Sequence, residues 1–472
     1  MKPSLNKEIL SLAVPSILAN ITVPLVGMAD IAVAGHLGTA SGSFAALIGG
    51  ITIGTMLFDL LYWNFAFLRA GTGGLTAQAY GRFISAPDTP AAELRSILLR
   101  ALRIAVISGL ALIALQWAVL WLAFLFVDCS PQVRDLATQY FKIRIWAAPA
   151  TLSLFALKGW FIGLQDTVRP MIADLIVNGL NIALSFGLGF GLGGLPQMGF
   201  AGVALGTVIA QWSGLVYAAL AARGHIASLP KPSLRAATDT ESAKSFFNLN
   251  RDLLLRSFGM IAIYIGFTVI SAQYGDTLLA VSSILMKLLM VFSYFTDGFA
   301  YAGEALTGRF IGARDRDGVR QTVRGTFLWG EGVTALFMLV YGFGGILLLQ
   351  LMTSDPAVIC AGKQFLPWLL LMPLIGVPAF IWDGILIGAT DTHDLRNSVL
   401  LSAVGFFGLW FAGQWLLPLI TGTTIPINAA TGIPQPRINA IHLLLAAYFV
   451  HLAIRSIHLT LRSRRFLSLP WS

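Results

Sequence analysis

The chain has 472 residues, of which 56% are hydrophobic and only 11% charged, and it carries a formal net charge of +9. Soluble globular proteins carry about 25% charged residues, so the composition excludes an ordinary soluble protein and its length is counted in membrane spans of about 20 residues. The basic excess collects at span ends, as on a cytoplasmic face against anionic lipid, and no nucleic-acid partner is expected.

Met1–Glu8 is short and polar, and the apolar run behind it shows no cleavable signal peptide. Hydropathy windows of about 19 residues then predict spans at 9–35, 44–80, 94–127, 132–163, 168–191 and 199–222. The stretch 223–246 is polar, contains Pro230 and Pro232 and lacks apolar periodicity, so it reads as a linker. Six more spans follow at 247–273, 277–311, 319–352, 357–388, 395–419 and 438–461. The expected architecture is an all-α polytopic membrane protein of twelve transmembrane helices. It divides into an N-terminal six-helix bundle (1–222), a cytoplasmic linker (223–246) and a C-terminal six-helix bundle (247–472). Alternate loops are basic: Arg82, Arg95, Arg100, Arg169, Arg256, Arg309, Arg396, Arg455 and Arg462 fall on one side, whereas the other keeps essentially Arg134 and Arg437. The positive-inside rule then places both termini in the cytoplasm. Cys129 and Cys360 have no metal-type spacing.

The two halves are copies. Gly159, Ile162, Gly163, Asp166 and Thr167 return as Gly384, Ile387, Gly388, Asp391 and Thr392, all displaced by 225 (388 − 163). Leu75, Thr76 and Gly81 return as Leu306, Thr307 and Gly312, displaced by 231 (312 − 81). An even number of spans separates the copies, so the repeat is parallel, with a pseudo-two-fold axis along the membrane normal and a substrate path at the seam. Gly163 and Gly388 are expected to end one helix, and Asp166-Thr167 and Asp391-Thr392 to cap the next.

An ionisable group at membrane depth costs about 2.5–3.5 kcal/mol on insertion scales and so calls for a function or a partner. Asp30 is the sharpest case, because no Lys or Arg lies between Glu8 and Arg69, and Pro24 can bend the same helix. It is a candidate to bind and release H⁺ or to hold Na⁺. Asp59 and Arg69 are further isolated charges on the second span, as are Glu331 and Asp383 in the second half. In the fifth span Asp174, Asn178 and Asn181 form one polar stripe, with both asparagines in reach of Asp30. In the eighth, Asp297 and Glu304 are seven apart and share a face, and Lys287 lies ten before Asp297. That stripe reads either as a relay or as a charge-neutral buried network. Glu304 is expected to be hydrated near the cytoplasmic end. Tyr62, Trp63, Tyr294, Phe295, Tyr301 and Trp382 are candidates to stack on an organic cation.

The tract Asn64-Phe65-Ala66-Phe67-Leu68-Arg69 with Gly74-Leu75-Thr76-Ala77-Gln78-Ala79-Tyr80-Gly81 resembles the second-helix signature of multidrug and toxic compound extrusion (MATE) transporters, in their DNA-damage-inducible (DinF) branch. Asp30 with Gly35-His36-Leu37, and Asp297-Gly298-Phe299-Ala300-Tyr301-Ala302 with Glu304-Ala305, are similar to the first- and eighth-helix motifs of that branch. The turn from Gly163 through Asp166-Thr167 to Arg169-Pro170 resembles the family's turn between helices four and five. The resemblance covers nearly the whole chain. It implies a V-shaped pair of six-helix bundles that exports organic, often cationic, compounds in exchange for H⁺ or Na⁺, with Asp30 central to coupling and Asn181 beside it. Some relatives carry a carboxylate four residues after that asparagine, where this chain has Ser185. A two-carboxylate Na⁺ site in the N-terminal half therefore lacks one member, which favours H⁺.

The expectation is a secondary antiporter of the bacterial cytoplasmic (inner) membrane, acting as a monomer among lipids on small organic substrates, with no cofactor beyond the coupling ion. Lys287, Tyr294, Asp297, Tyr301 and Glu304 are its candidate cavity or relay residues. The alternative is a lipid or lipid-linked-sugar flippase of related fold, which a basic cavity would favour. An intramembrane enzyme is not expected, since His-Glu-x-x-His, Gly-x-Ser-x-Gly and the phosphate-binding Gly-x-x-x-x-Gly-Lys-Ser/Thr are all missing from the sequence. Nor is a passive channel expected, because the charges are single and unevenly shared between the halves.

Overall fold

The structure, a computed structural model, describes residues 3–41, 44–85, 92–127, 129–229, 240–421 and 435–468. All regular structure among them is helical. Hydrocarbon offers no water to a backbone N–H or C=O, and a helix pairs those groups within one segment. Among the described residues twelve segments are long and apolar enough to cross a membrane, the number the sequence predicts.

Helix α1 (Pro3–Ser41) stays helical through Pro15 and Pro24. Four expected spans are interrupted. The second is α2 (Phe44–Asn64) and α3 (Phe67–Ser85), joined by tight bonds from the Phe65 N–H to the Tyr62 carbonyl (2.9 Å) and from the Ala66 N–H to the Trp63 carbonyl (3.2 Å). The Asn64 side chain donates to the Leu60 carbonyl (2.6 Å) just before that break. A side-chain amide there competes for a backbone acceptor. The third is α4 (Ala92–Ala114) and α5 (Gln116–Phe126). The fourth is α6 (Pro131–Arg144), a 3₁₀ turn over Ile145–Ala147, and α7 (Ala148–Gly163). Pro149 in the first turn of α7 has no N–H with which to continue the α6 ladder.

Next come α8 (Val168–Phe190) and α9 (Phe200–Ser228), then α10 (Thr240–Ala272), α11 (Asp276–Gly312) and α12 (Arg316–Met352). The polar stretch 223–246 is thus helical at both ends, and 230–239 lie outside the described residues. The tenth span, expected at 357–388, breaks into α13 (Pro356–Lys363) and α14 (Leu366–Gly388), with Pro367 opening the second piece. Helices α15 (Thr392–Thr421) and α16 (Gln435–Ser468) complete the chain.

The chain forms two compact units. One comprises Val14–Asn250 with Ile311–Ala313, here the N-terminal unit, and the C-terminal unit comprises Met1–Ala13, Arg251–Phe310 and Arg314–Ser472. In the N-terminal unit Phe58 stacks on Phe141 (4.7 Å between centroids), and the buried Trp160 indole donates to the Leu94 carbonyl (3.0 Å). In the C-terminal unit Phe292 packs edge-on against Phe337, and the buried Tyr341 hydroxyl donates to the Leu288 carbonyl (2.6 Å). That bond satisfies a phenol with no water at hand.

The repeated glycines show what the duplication conserves in three dimensions. A Cβ on Gly159 would run into the carbonyl of Arg69, and one on Gly163 into the carbonyl of Gly73. In the other unit a Cβ on Gly384 would run into the Ala300 carbonyl and one on Gly388 into that of Glu304. The struck positions are related by the second displacement (300 − 69 and 304 − 73 are both 231). Each unit therefore holds the same backbone-to-backbone seam, α7 on α3 and α14 on α11. Small residues four apart permit this approach.

These glycines do end their helices in sequence, but they do not supply the left-handed residue that closes them. That residue is Gln165 (φ 64°) in one copy and Thr390 (φ 58°) in the other. The Asp166 N–H bonds the Phe161 carbonyl and the Gln165 N–H the Ile162 carbonyl, and Asp391 to Leu386 and Thr390 to Ile387 repeat them, all at 2.9 Å. This bond pair is the Schellman closure. Asp166 then accepts from the Arg169 N–H (3.1 Å) and Asp391 from the Asp394 N–H (3.4 Å), capping the following helices. We predict that Gly159→Ala and Gly384→Ala each destabilise the purified protein by about 1–3 kcal/mol, as overpacking does. Gly344→Ala, where a Cβ meets nothing within 4 Å, leaves the thermal midpoint in place.

Candidate functional site

Asp30 lies on α1 in the N-terminal unit and is 5% exposed. Its Oδ1 accepts from the Ser185 hydroxyl of α8 (3.0 Å). Ser185 also lies 3.5 Å from Asn181 Oδ1, and the Asn181 amide donates to Thr207 of α9 (2.8 Å). Asn181, Ser185 and Thr207 are all buried. A hydroxyl has one proton to give, so Ser185 serves either Asp30 or Asn181 at a given moment, and the shorter distance favours Asp30. The carboxylate thus contacts a neutral hydroxyl that can rotate.

Asn178 does not join this chain. Its amide donates to Thr22 of α1 (2.5 Å), whose hydroxyl donates to the Ala19 carbonyl (2.7 Å). Thr22 and Asp30 are eight apart and Asn178 and Ser185 seven apart, two turns on each helix. They form one α1–α8 seam, with Asn181 turned toward α9. Asp174, the third member of the expected stripe, instead pairs with Lys158 of α7.

Besides Lys142, which lies over the Trp117 ring, two cations of this unit escaped the sequence reading. One is Lys158. The other is Arg144, at the end of α6, which donates to the Tyr140 hydroxyl (3.1 Å) and reaches Thr55 of α2 (3.5 Å). Neither had a sequence neighbour of opposite charge to signal it.

In the C-terminal unit the eighth-span stripe resolves into separate environments along α11. Lys287 is exposed, Tyr294, Asp297 and Tyr301 are half-buried, and Glu304 is 0% exposed. The expected hydration of Glu304 is corrected: Gly388 lets α14 close onto the backbone at that position, and the side chain is enclosed. Asp383, read as isolated, is held by two guanidiniums, Arg256 of α10 and Arg455 of α16 (2.6 Å to the latter). Arg455 was expected on the cytoplasmic face, yet it is 1% exposed. Arg396 pairs with Asp252 (2.6 Å), one turn before Arg256 on α10. Asp383 and Lys158 occupy the same repeat position (383 − 158 = 225) with opposite charge.

The profile of the MatE family matches residues 15–186 and 253–409. The chain belongs to the MatE family. It is 34% identical over 419 residues, 88% of this chain and 87% of the relative, to the DNA damage-inducible protein F of Escherichia coli K12. It is 25% identical over 420 residues, 88% of this chain and 86% of the relative, to a probable multidrug resistance protein NorM of Photorhabdus laumondii. A crystal structure of MATE in the bent conformation shares the fold with a TM-score of 0.80 at 17% identity, over 98% of this chain and 96% of that one. An outward-facing multidrug resistance MATE family transporter of the MOP superfamily gives 0.78 at 17% identity, over 99% and 97%.

As a MatE protein the chain is a multi-pass membrane transporter and not an enzyme. The two matched segments contain Asp30, Asn181 and Ser185 in the first and the α11 residues with Asp383 in the second. Breaking a buried pair by removing one partner costs about 3–5 kcal/mol, and the two kinds of partner here differ. We predict that Asp383→Asn, which leaves two guanidiniums facing each other, lowers the thermal midpoint more than Arg455→Gln, which leaves Asp383 paired with Arg256. An equal loss in both variants would contradict this ordering.

Proposed function

We propose that this MatE protein is a secondary antiporter that exports organic, cationic and amphipathic compounds across the bacterial inner membrane in exchange for H⁺. Both termini face the cytoplasm, and the protein works as a monomer among lipids. The names of relatives such as the probable multidrug resistance protein NorM support xenobiotic export. The observation that carries the coupling reading is the setting of Asp30: one carboxylate inside the first span, in contact with the hydroxyl of Ser185 and linked through it to Asn181 and Thr207.

A proton neutralises Asp30 and frees the Ser185 hydroxyl to turn to Asn181; loss of the proton restores a charge that attracts an organic cation. Ligands that favour opposite charge states of one group exchange by linkage without meeting. With Ser185 in place of a second carboxylate, a Na⁺ ion would have one anionic oxygen donor group at this point, which is why we favour H⁺. Tyr294, Asp297 and Tyr301, half-buried on α11, are assigned to the substrate path, and Lys287 and Glu304 to its two ends.

The expected result for Asp30→Asn in proteoliposomes is loss of efflux driven by a pH gradient, with folding and insertion intact by size-exclusion profile. Wild-type efflux from that variant under the same gradient would move the coupling site to the Lys287–Asp297 stripe.

A further inference from the structure

A resident cation lies in the same unit as the coupling carboxylate and within range of its charge. Arg144 closes α6, with its guanidinium 4.8 Å over the Phe58 ring and bonded to the Tyr140 hydroxyl. Thr55, which it also reaches, shares one face of α2 with Phe58, Asp59 and Tyr62, at spacings of three, four and seven. Phe58 and Tyr140 pack in the same core cluster as Val33 and Ala34, the residues one turn beyond Asp30 on α1. Arg144 therefore bonds Tyr140 and faces the side of α2 that carries Asp59 and Tyr62, with Asp30 in electrostatic range.

These are the titratable groups that bear on Arg144, from α1, α2 and α6. Helix α8 presents Ser185 to Asp30, with Asn181 and, from α9, Thr207 behind it, none of which titrates. With Asp30 and Asp59 ionised the group sums to one negative charge, and one proton or one monovalent organic cation brings it to zero.

We propose that Arg144 is the built-in competitor for Asp30, a positioning residue whose guanidinium sets the pH at which exchange runs and which Asp59 restrains by sharing it. Each cation that approaches Asp30 meets the field of Arg144 and binds more weakly. For a proton, a tenfold loss of affinity is a one-unit change in working pH. For Na⁺, held by a single carboxylate, the same loss removes binding at ordinary concentrations. Asp59 is exposed on α2 and pulls the guanidinium the other way. The two residues therefore act on Asp30 with opposite signs.

The inference rests on Asp30 as the coupling carboxylate, and the test separates the two claims. The measurement is binding of ethidium, an organic cation, to the purified full-length protein across pH 5–9, with and without NaCl balanced by choline chloride. Wild type should bind with a clear pH midpoint and no Na⁺ effect, and Asp30→Asn should lose the midpoint. A wild type without a midpoint, or Asp30→Asn with the wild-type midpoint, overturns the Asp30 reading itself. Given the wild-type midpoint, Arg144→Gln should move it up by about one unit and make ethidium binding sensitive to Na⁺. Arg144→Lys, which keeps the charge, should stay near wild type. Asp59→Asn should move the midpoint down by about half a unit, because the guanidinium is then unshared. Midpoints unmoved by Arg144→Gln and Asp59→Asn, or moved in one direction by both, overturn the role of Arg144. Should Arg144→Gln fail to fold, Arg144→Met takes its place with the same expected upward shift, and an unmoved or upward midpoint in Asp59→Asn overturns the proposal.

Discussion

Hydrocarbon supplies no hydrogen bonds, and the rest of this structure follows from that. The backbone answers by making all its regular structure among the described residues helical. The side chains answer by pairing across helices: Lys158 with Asp174 ties α7 to α8, and Asp383 with Arg256 and Arg455 ties α14 to α10 and α16. The polar groups near the first span obey the same rule with neutral partners, Thr22 to Asn178 and Ser185 to Asp30. Each bond does in the membrane what water does outside it.

The kind of partner separates structural carboxylates from the one suited to exchange. Asp174 and Asp383 are each gripped by a cation in direct contact, so neutralising either leaves an opposite charge stranded. Asp30 touches a hydroxyl instead, and a hydroxyl turns from one acceptor to another without leaving a charge behind. A group that must change its charge during a cycle is best served by neighbours that tolerate both states. Among these three aspartates that condition is met at Asp30.

Much of the fold was legible because it is written in spacing. The number of spans follows from hydropathy, and the five-residue echo between Gly159 and Thr392 marks two positions where backbones touch in both units. Interruptions within spans were not legible to hydropathy windows: Pro149 and Pro367 remove a donor without changing apolarity. Partners remote in sequence were invisible too, as 127 residues separate Arg256 from Asp383 and 72 separate Asp383 from Arg455. Distance from the end of a span misplaced Glu304, because enclosure there depends on a missing side chain at Gly388 on another helix. Asn178 and Asn181 share a stripe only loosely. Three residues fall about 60° short of a full turn of 3.6 residues, and that angle gives the two amides different neighbours.

The opposed charges at positions 158 and 383 bear on how the duplicated copies diverged. A lysine in one copy and an aspartate in the other stand at the same place in the repeat, each matched to partners within its own unit. What the two copies share is therefore an ion pair at that level, with its polarity inverted between them. Grafting the fourth span alone onto the position of the tenth would set Lys158 against Arg256 and Arg455, three cations with no anion among them.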